Sequence, residues 1–539
     1  MKNVIEAIEA LYARALDEVR ERVLEGDRPS GRKLNEAQLA GHGLAYLATE
    51  LEACRQLSAW ADRVGGDQAT GIAKAYVAEV ARTLAGGIDL GPCENVSLGE
   101  LGLTDEDVAK TIRREQVLTF IAEHGGGDAY LDIARRARDD GQPNRGMGDP
   151  MLDEVQKQFA KFVDAEVLPL AQDIHRKDEL IPMKLVTQMS ELGVFGLTIP
   201  EEYDGLGMSK VAMCVVTEEL SRGYIGVGSL GTRAEIAAEL IMGGGTEEQK
   251  KNWLPRLASG EVLSTAVFTE PNHGSDLAHI TTRADKDADG SYRLSGAKTW
   301  ITHAVRADLM TVLARTNPDE RGYAGLSMFL AEKTRLSPAP GEAEFVDEGL
   351  TGTEIPVIGY RGMKEYELSF DGFTVPEEAL LGGEEGAGFK QLMRTFESAR
   401  IQTAARGVGL AQAALDDAML YAMDRAQFGR PIFEFPRVGR KIGRMVARTM
   451  AARQLAFYAA RRKDSGDRCD LEAGMAKLLA TRAAWEAADA NVQIHGGNGY
   501  AEEYTASRLL VDARVLSIFE GANEIQAHVV ARRLLEKTS

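Results

Sequence analysis

The residue in this sequence best suited to chemistry is a single carboxylate at the end of an apolar run. Glu520 lies within VLSIFEGANEIQ, residues 515–526, directly before Gly521. Removing an unpaired carboxylate from water is costly, and the usual consequence is a raised pKa. Such a group suits the abstraction of a proton, whereas the structural alternative is an acidic residue that stabilises a helix start. Taken alone, the segment leaves both alternatives open.

The composition limits the classes of protein to consider. The 539 residues are 44% hydrophobic and 27% charged, which is typical of a globular protein with two to four domains. The net charge of -19 argues against binding to nucleic acid, which requires positive charge facing the phosphates. No apolar run is long enough to span a bilayer, and the first 26 residues are too acidic for a transit peptide. We therefore expect a soluble, cytoplasmic protein without a membrane partner.

The cysteines are scattered along the chain. They show neither a CxxC pair nor a cysteine and histidine spacing suited to zinc. We expect reduced thiols and no metal site. The four positions are Cys54, Cys93, Cys214 and Cys469.

Apolar periodicity predicts the order of the elements that position these groups. A helical stripe over residues 4–24 ends before Gly26, and the Gly- and Pro-rich residues 138–150 read as a linker. Short β-branched and aromatic runs separated by turn residues then indicate strands, and long helical patterns follow to the end. The predicted fold class is α+β, mainly α. The predicted domains are a helical extension (1–148), a helical domain (149–261), a β domain (262–375) and a helical bundle (376–539).

One glycine-rich segment has the glycine spacing of a dinucleotide-binding loop. Residues 226–231, GVGSLG, match GxGxxG, but that function requires a preceding strand and a helix opening on the glycines. The preceding VAMCVVTEELSRGYI has a helical pattern. We expect a glycine-rich turn between two helices instead.

Several segments, in family order, resemble the acyl-CoA dehydrogenase family. The resemblance extends over roughly residues 151–539 and implies a helical domain, a central β-barrel-like domain and a C-terminal four-helix bundle. Residues 1–148 lie outside this common core. The segments are GVFGLTIPEEYDGLG (193–207), QKKNWLPRLASGE (249–261), FTEPNHGSD (268–276) with WIT (300–302), DRAQFGRPI (424–432), and QIHGGNGY (493–500) with FEGANEIQ (519–526).

The resemblance implies a reaction in which a carboxylate removes the α proton of an acyl-CoA while a hydride passes from the β carbon to FAD. Glu520 matches the catalytic glutamate, and its backbone N–H would be one donor to the thioester oxygen. Gly521 would leave room for the acyl chain. Some family members carry the base one residue before the arginine that matches Arg400, but here that position is Ala399.

The resemblance also implies binding residues. At Trp300 the alternative is a plain core residue, and at Arg233, a candidate for a substrate carboxylate, a surface arginine is the favoured alternative. Pro436 and Ala522 depart from the family, which commonly has glutamine and threonine there. The positions implied for FAD are Phe268, Thr269, Ser275, Trp300, Ile301, Thr302, Arg425, Phe428, Gln493, Ile494, His495, Gly496, Gly497, Ala522, Asn523 and Glu524. The positions implied for the substrate are Ser275, Glu397, Arg400, Gly521 and Arg233.

The expected partners follow from the same resemblance. A dehydrogenase of this family passes its electrons to an electron-transfer flavoprotein, and we expect a homo-oligomer, with a homodimer favoured over a tetramer. The substrate implied is a short branched acyl-CoA with a carboxylate on the β carbon. The rival hypotheses are a dehydrogenase for another short branched or dicarboxylic acyl-CoA, an acyl-CoA oxidase, and a non-catalytic FAD-binding homologue.

Overall fold

The computed structural model describes residues 1–91, 94–320, 322–338 and 341–536, so Cys93 lies outside the described residues. The described chain is mainly helical and contains one large sheet, which confirms the predicted α+β fold class. It divides into two compact units. The first unit contains the residues up to Glu154 and those from Thr403 onward, and the second contains Val155–Gln402.

The helices account for most of the described residues. They are α1 (Lys2–Val23), α2 (Gly31–Glu36), α3 (Gln38–Val64), α4 (Gly66–Leu84), α5 (Asp105–Lys110), α6 (Glu115–His124), α7 (Gly127–Asp139), α8 (Pro150–Phe162), α9 (Leu168–Lys177), α10 (Met183–Glu191), α11 (Lys210–Gly223), α12 (Ile225–Gly244), α13 (Glu247–Ala258), α14 (Gly388–Asp424), α15 (Pro436–Asp464), α16 (Asp470–His495), α17 (Thr505–Val515) and α18 (Asn523–Leu535).

The strands are fewer and shorter. They are β1 (Leu24–Glu25), β2 (Arg28–Pro29), β3 (Ile88–Gly91), β4 (Glu94–Val96), β5 (Ser264–Val267), β6 (Arg283–Lys286), β7 (Tyr292–Thr302), β8 (Leu309–Arg315), β9 (Leu326–Glu332), β10 (Leu350–Ile355), β11 (Glu365–Val375), β12 (Ala426–Gln427) and β13 (Arg430–Pro431).

The second unit is built around a seven-stranded sheet. Its strand order is β10-β11-β7-β6-β8-β5, and β9 pairs with β8. Strand β8 runs parallel to β5 and β6, whereas the remaining pairs are antiparallel. Long strand β7 places Tyr292 and Leu294 in the core at its start and carries WIT at its end. Residues 301 and 302 pair with β11, whereas β6 pairs only with residues 292–295 at the start of β7.

The prediction of a glycine-rich turn at residues 226–231 is wrong, and the segment does not form a dinucleotide-binding loop either. The segment forms the first turns of α12. The glycines there permit close helix packing, because a Cβ on Gly228 would lie 3.0 Å from the Cβ of Ser221 in α11. The break between α11 and α12 lies two residues before this segment, at the extended Tyr224.

In the first unit, the N-terminal helices pack directly on the C-terminal ones. Helix α3 contacts α15, α16 and α18, and α7 contacts α15. The stripe of α1 is buried as predicted, but this helix ends at Val23, and Gly26 instead forms the left-handed turn between β1 and β2. Polar contacts also join distant segments, since Arg63 donates to Gln454 over 3.2 Å.

Close backbone approach between α7 and α15 makes Gly443 a sensitive position. A Cβ there would overlap the Tyr130 carbonyl oxygen and lie 2.7 Å from its carbon. Since a backbone group cannot move aside cheaply, Gly443→Ala is expected to lower the free energy of unfolding by about 1–3 kcal/mol in urea denaturation. The control is Gly71→Ala in α4, which meets nothing within 4 Å. Its higher helix propensity should raise the stability by up to about 1 kcal/mol, and equal effects of the two changes would contradict the packing argument.

Candidate active site

Glu520 lies in a strained turn between α17 and α18. Its φ is 53°, a left-handed value that is uncommon for a residue with a side chain, and Gly521 follows with a φ of 86°. Helix α18 begins only at Asn523, and Glu524 is the acidic residue of its first turn. The helix-start alternative for Glu520 is therefore wrong.

Two side chains hold the backbone of this turn. Lys477, fully buried on α16, donates to the Gly521 carbonyl. Gln526, also buried, donates from Nε2 to the carbonyls of Glu520 and Gly521 over 3.3 Å each. A strained residue persists only where its surroundings determine it, and such residues cluster at functional sites. Lys477 and Gln526 therefore fix the backbone that carries the Glu520 side chain.

The carboxylate itself lies next to a buried arginine that sequence reasoning missed. Arg406 Nη2 is 3.8 Å from Glu520 Oε1, and the side chains are 0% and 13% exposed. The same guanidinium lies over the Phe519 ring, 4.7 Å from its centroid, and donates to Thr403 Oγ1 over 2.8 Å. The available signal was an arginine within the mostly apolar stretch AARGVGLA of α14. Glu520 is thus a mostly buried acid facing a cation.

A buried ion pair organises the loop at residues 268–276. Lys298 Nζ is 3.1 Å from Glu270 Oε1, and both side chains are almost fully buried. Lys298 also donates to the Phe268 carbonyl over 2.9 Å, and the backbone N–H of Thr299 donates to the Thr269 carbonyl over 3.0 Å. The loop and the end of β7 therefore form a single rigid piece.

The pKa values of this pair follow from its surroundings. Burial would raise the pKa of Glu270, but the charge of Lys298 and hydrogen bonds from Thr282 and Thr281 lower it to about 2. Burial lowers the pKa of Lys298 to about 8, while Glu270 opposes that change. Both groups are charged at neutral pH.

Trp300 is 56% exposed and has a left-handed φ of 58°, so the plain-core alternative is wrong. An exposed indole near the end of a paired strand offers a flat apolar surface to a ligand. Ile301 is in the core, and Thr302 is buried with its hydroxyl donating to Glu365 over 3.0 Å. Phe268 and Thr269 are half-buried, whereas Ser275 is exposed.

The candidate FAD residues of the first unit differ in exposure. Phe428 is 94% exposed at the tip of the β12–β13 hairpin, which Arg425 directly precedes, and Pro436 begins α15. His495 is buried and stacks on Tyr421 with ring centroids 3.9 Å apart. The remaining exposed positions are Arg425, Gln493, Gly496, Gly497 and Glu524, the half-buried ones are Ala522 and Asn523, and Ile494 is buried.

The candidate substrate arginines are both buried. Arg233 is 8% exposed on α12, so the surface alternative favoured from the sequence is wrong. Arg400 is 9% exposed and lies 5.8 Å from the centroid of the Phe396 ring, and Glu397 is half-buried. Buried cations require anionic or strong acceptor partners.

Three family models match the chain. The N-terminal, middle and C-terminal domains of acyl-CoA dehydrogenases match residues 150–261, 265–373 and 386–535. The chain belongs to the acyl-CoA dehydrogenase family. It is therefore an oxidoreductase acting on acyl-CoA thioesters, in a family whose members are FAD-binding flavoproteins.

Individual acyl-CoA dehydrogenases show how far the likeness extends. The (2S)-methylsuccinyl-CoA dehydrogenase of Cereibacter sphaeroides is 52% identical over 99% of this chain and 97% of its own. The butyryl-CoA dehydrogenase structure from Megasphaera elsdenii gives a TM-score of 0.67 at 33% identity, covering 72% of this chain and 98% of its own. A chain in the structure of the electron-transferring flavoprotein of Acidaminococcus fermentans gives 0.68 at 33% identity, covering 72% and 99%. Of these three, only the first match includes the N-terminal extension.

Proposed function

We propose that this enzyme oxidises (2S)-methylsuccinyl-CoA to mesaconyl-CoA, as a step of the ethylmalonyl-CoA pathway. The observation that carries the proposal is the 52% identity over 99% of the chain to an enzyme of that name. The likeness includes the N-terminal extension, which the butyryl-CoA dehydrogenase match does not cover.

In this proposal Glu520 removes the α proton of the thioester. Its strained turn, fixed by Lys477 and Gln526, supports a preorganised base, because positioning costs are met before the substrate arrives. Its low exposure limits competition from water. The backbone N–H of Glu520 is the proposed donor to the thioester oxygen, and Glu397, Arg400, Gly521 and Ser275 are proposed to contact the substrate.

FAD, when bound, supplies the hydride acceptor. The exposed indole of Trp300 fits an aromatic cofactor, because a planar ring would cover apolar surface that otherwise faces water. Lys298 and Glu270 brace the loop at residues 268–276, and this loop presents Phe268 and Thr269 near Trp300. The other FAD positions implied by the sequence remain proposed contacts.

The second carboxylate of methylsuccinyl-CoA needs a cation, and Arg406 and Arg233 are the proposed candidates. Arg406 is the better placed with respect to Glu520, at 3.8 Å. Arg406→Gln is expected to lower the preference for methylsuccinyl-CoA over butyryl-CoA by about 10- to 100-fold in kcat/KM, because a charged hydrogen bond contributes about 1.5–3 kcal/mol. The control is exposed Arg437→Gln. An equal loss with both substrates would leave Arg406 with only a role in orienting Glu520.

The test of the function is anaerobic mixing of the yellow protein with one acyl-CoA at a time. The panel is methylsuccinyl-CoA, butyryl-CoA, isobutyryl-CoA and glutaryl-CoA, and the flavin absorbance is followed. Fast bleaching with methylsuccinyl-CoA alone is expected. Bleaching by another thioester would favour the rival short branched or dicarboxylic substrate, and no bleaching with any would favour the non-catalytic homologue.

An electron-transfer flavoprotein is the proposed electron acceptor and the cytoplasm the proposed location. Among the described helices, none has the length and apolar character needed to cross a bilayer. Rapid oxygen consumption during turnover would favour the oxidase alternative.

A homodimer, rather than a tetramer, is the proposed assembly. Exposed apolar side chains in the first unit support self-association, namely Phe428, Tyr500 and Leu420, which are 94%, 88% and 72% exposed. Sedimentation at several concentrations tests this state.

A further inference from the structure

A polar cavity of about 170 Å³ lies within the first unit, among elements that the proposed dehydrogenase function does not use. Four arginines line it, Arg82 on α4 and Arg440, Arg444 and Arg448 on α15. The rest of the lining includes the glycine triplet 125–127 between α6 and α7. Helices α4, α6 and α7 lie outside all three family models, so the cavity depends on the extension.

The acidic groups of the lining already have partners. Glu79 accepts from Arg444 Nε at 3.0 Å, from Arg448 Nη2 at 2.7 Å and from the Tyr130 hydroxyl. Although burial opposes it, the charges of Arg448 and Arg444 hold the pKa of Glu79 well below its usual range. Asp89 pairs with Arg482. The lining carboxylates are therefore paired with Arg444, Arg448 and Arg482.

Two of the lining arginines have no carboxylate partner among the described residues. Arg82 Nη1 donates to the Gly125 carbonyl over 2.7 Å, which positions its guanidinium without neutralising it. Arg440 forms neither an ion pair nor a hydrogen bond within the described chain, and its Cδ lies close to Gly127. Both arginines are exposed, and their guanidinium groups add positive charge at the cavity that a small anion would offset.

The backbone of Gly126 and Gly127 adds donors, whereas the Gly125 N–H is already bonded to the Ile121 carbonyl over 2.8 Å. Helix α7 begins at Gly127, and its N-cap residue Gly126 provides no capping side chain. The 13 residues of this helix give its N-terminus the partial positive charge of a helix dipole. A Cβ built on Gly126 meets nothing within 4 Å, so there is open space beside this residue at the helix start. Exposed Asp128 is the acidic residue of this first turn. Helix N-termini next to arginines are favourable positions for oxyanions.

We propose that this cavity binds a phosphate-type oxyanion, either free inorganic phosphate or the phosphate of a small monoester. The volume is below the range of about 300–1,000 Å³ that is usual for drug-sized ligands, so a nucleotide is too large. Because α4, α7 and α15 all contribute, the bound anion joins the N-terminal extension to the C-terminal helices. The site is independent of the dehydrogenation.

The test uses the full-length, FAD-loaded enzyme with inorganic phosphate, at an ionic strength kept constant with chloride. Calorimetric titration and thermal unfolding should show saturable binding and a rise in Tm with phosphate. Arg440→Gln, which removes a cation without leaving a carboxylate unpaired, should weaken binding about tenfold or more. Arg437→Gln, on the same helix but outside the lining, should bind as the parent does.

Glycerol phosphate distinguishes the two sources of the anion. Binding as tight as that of phosphate would assign an esterified phosphate, whereas much weaker binding would assign free phosphate. The proposal is overturned if phosphate binds no better than chloride, or if Arg440→Gln and Arg82→Gln both bind as the parent does. The latter result would place the anion in another site, such as one that accepts the phosphates of CoA.

Discussion

Replacing Glu520 with glutamine is expected to slow acyl-CoA oxidation by about 100- to 10,000-fold, the usual contribution of a general base. The amide has nearly the size of the carboxylate but cannot accept the α proton. Arg406, 3.8 Å from Oε1, would lose its charged neighbour, while the backbone contacts from Lys477 and Gln526 would remain. The measurement is the rate of flavin bleaching on anaerobic mixing with saturating methylsuccinyl-CoA.

The control for this change is Glu503→Gln, which alters an exposed carboxylate in the same unit. It should bleach at the parent rate. Both variants should keep the flavin spectrum of the parent and stay folded at the assay temperature, so that a slow rate reflects chemistry. A Glu520→Gln enzyme that bleaches as fast as the parent would show that another group is the base.

Replacing Lys298 with methionine is expected to lower the free energy of unfolding by about 3–5 kcal/mol, because it leaves a buried carboxylate without its cation. Glu270 is 3% exposed and Lys298 is fully buried. The loop at residues 268–270 would also lose its bond from Lys298 Nζ, so we expect weaker retention of FAD beside Trp300. Urea denaturation of the apoprotein and flavin release from the holoenzyme measure the two effects separately.

The pH dependence provides a second readout of the same pair. In the parent, Glu270 has a lowered pKa of about 2 against an ordinary value of 4.5, so its stabilising contribution is present above pH 4.5 and is lost as the pH falls toward 2. Lys298→Met removes the main cause of that lowering. The stability difference between parent and variant should therefore narrow as the pH falls through this range.

Two controls isolate the buried pair. Lys286→Met breaks an ion pair with Glu377 at 2.8 Å whose members are 45% and 61% exposed, and it should change stability by less than about 1 kcal/mol. Glu270→Gln combined with Lys298→Met should recover part of the loss, because no buried charge remains. If Lys298→Met destabilises no more than Lys286→Met, the pair does not brace the loop.

The sequence by itself determined the family, the fold class and the proposed base. These rest on local patterns, since a motif such as FEGANEIQ brings an acid, a glycine and a helix start together through neighbouring residues. The buried stripe of α1 was likewise predictable, because apolar period alone marks the face that leaves water. The same local reading failed at residues 226–231, where glycines serve helix packing against α11 instead of a turn.

Only the tertiary structure decided which distant groups meet. Arg406 and Lys477 reach the Glu520 turn from helices far away in the sequence, and the local sequence pattern of neither helix predicts that contact. Trp300 is exposed and Arg233 is buried, each opposite to the usual preference of its residue type, because the pairing of β7 and the packing of α12 set their environments. Periodicity predicts which face of an element is buried, but it does not identify the element that covers this face. The covering element depends on the packing of the whole chain.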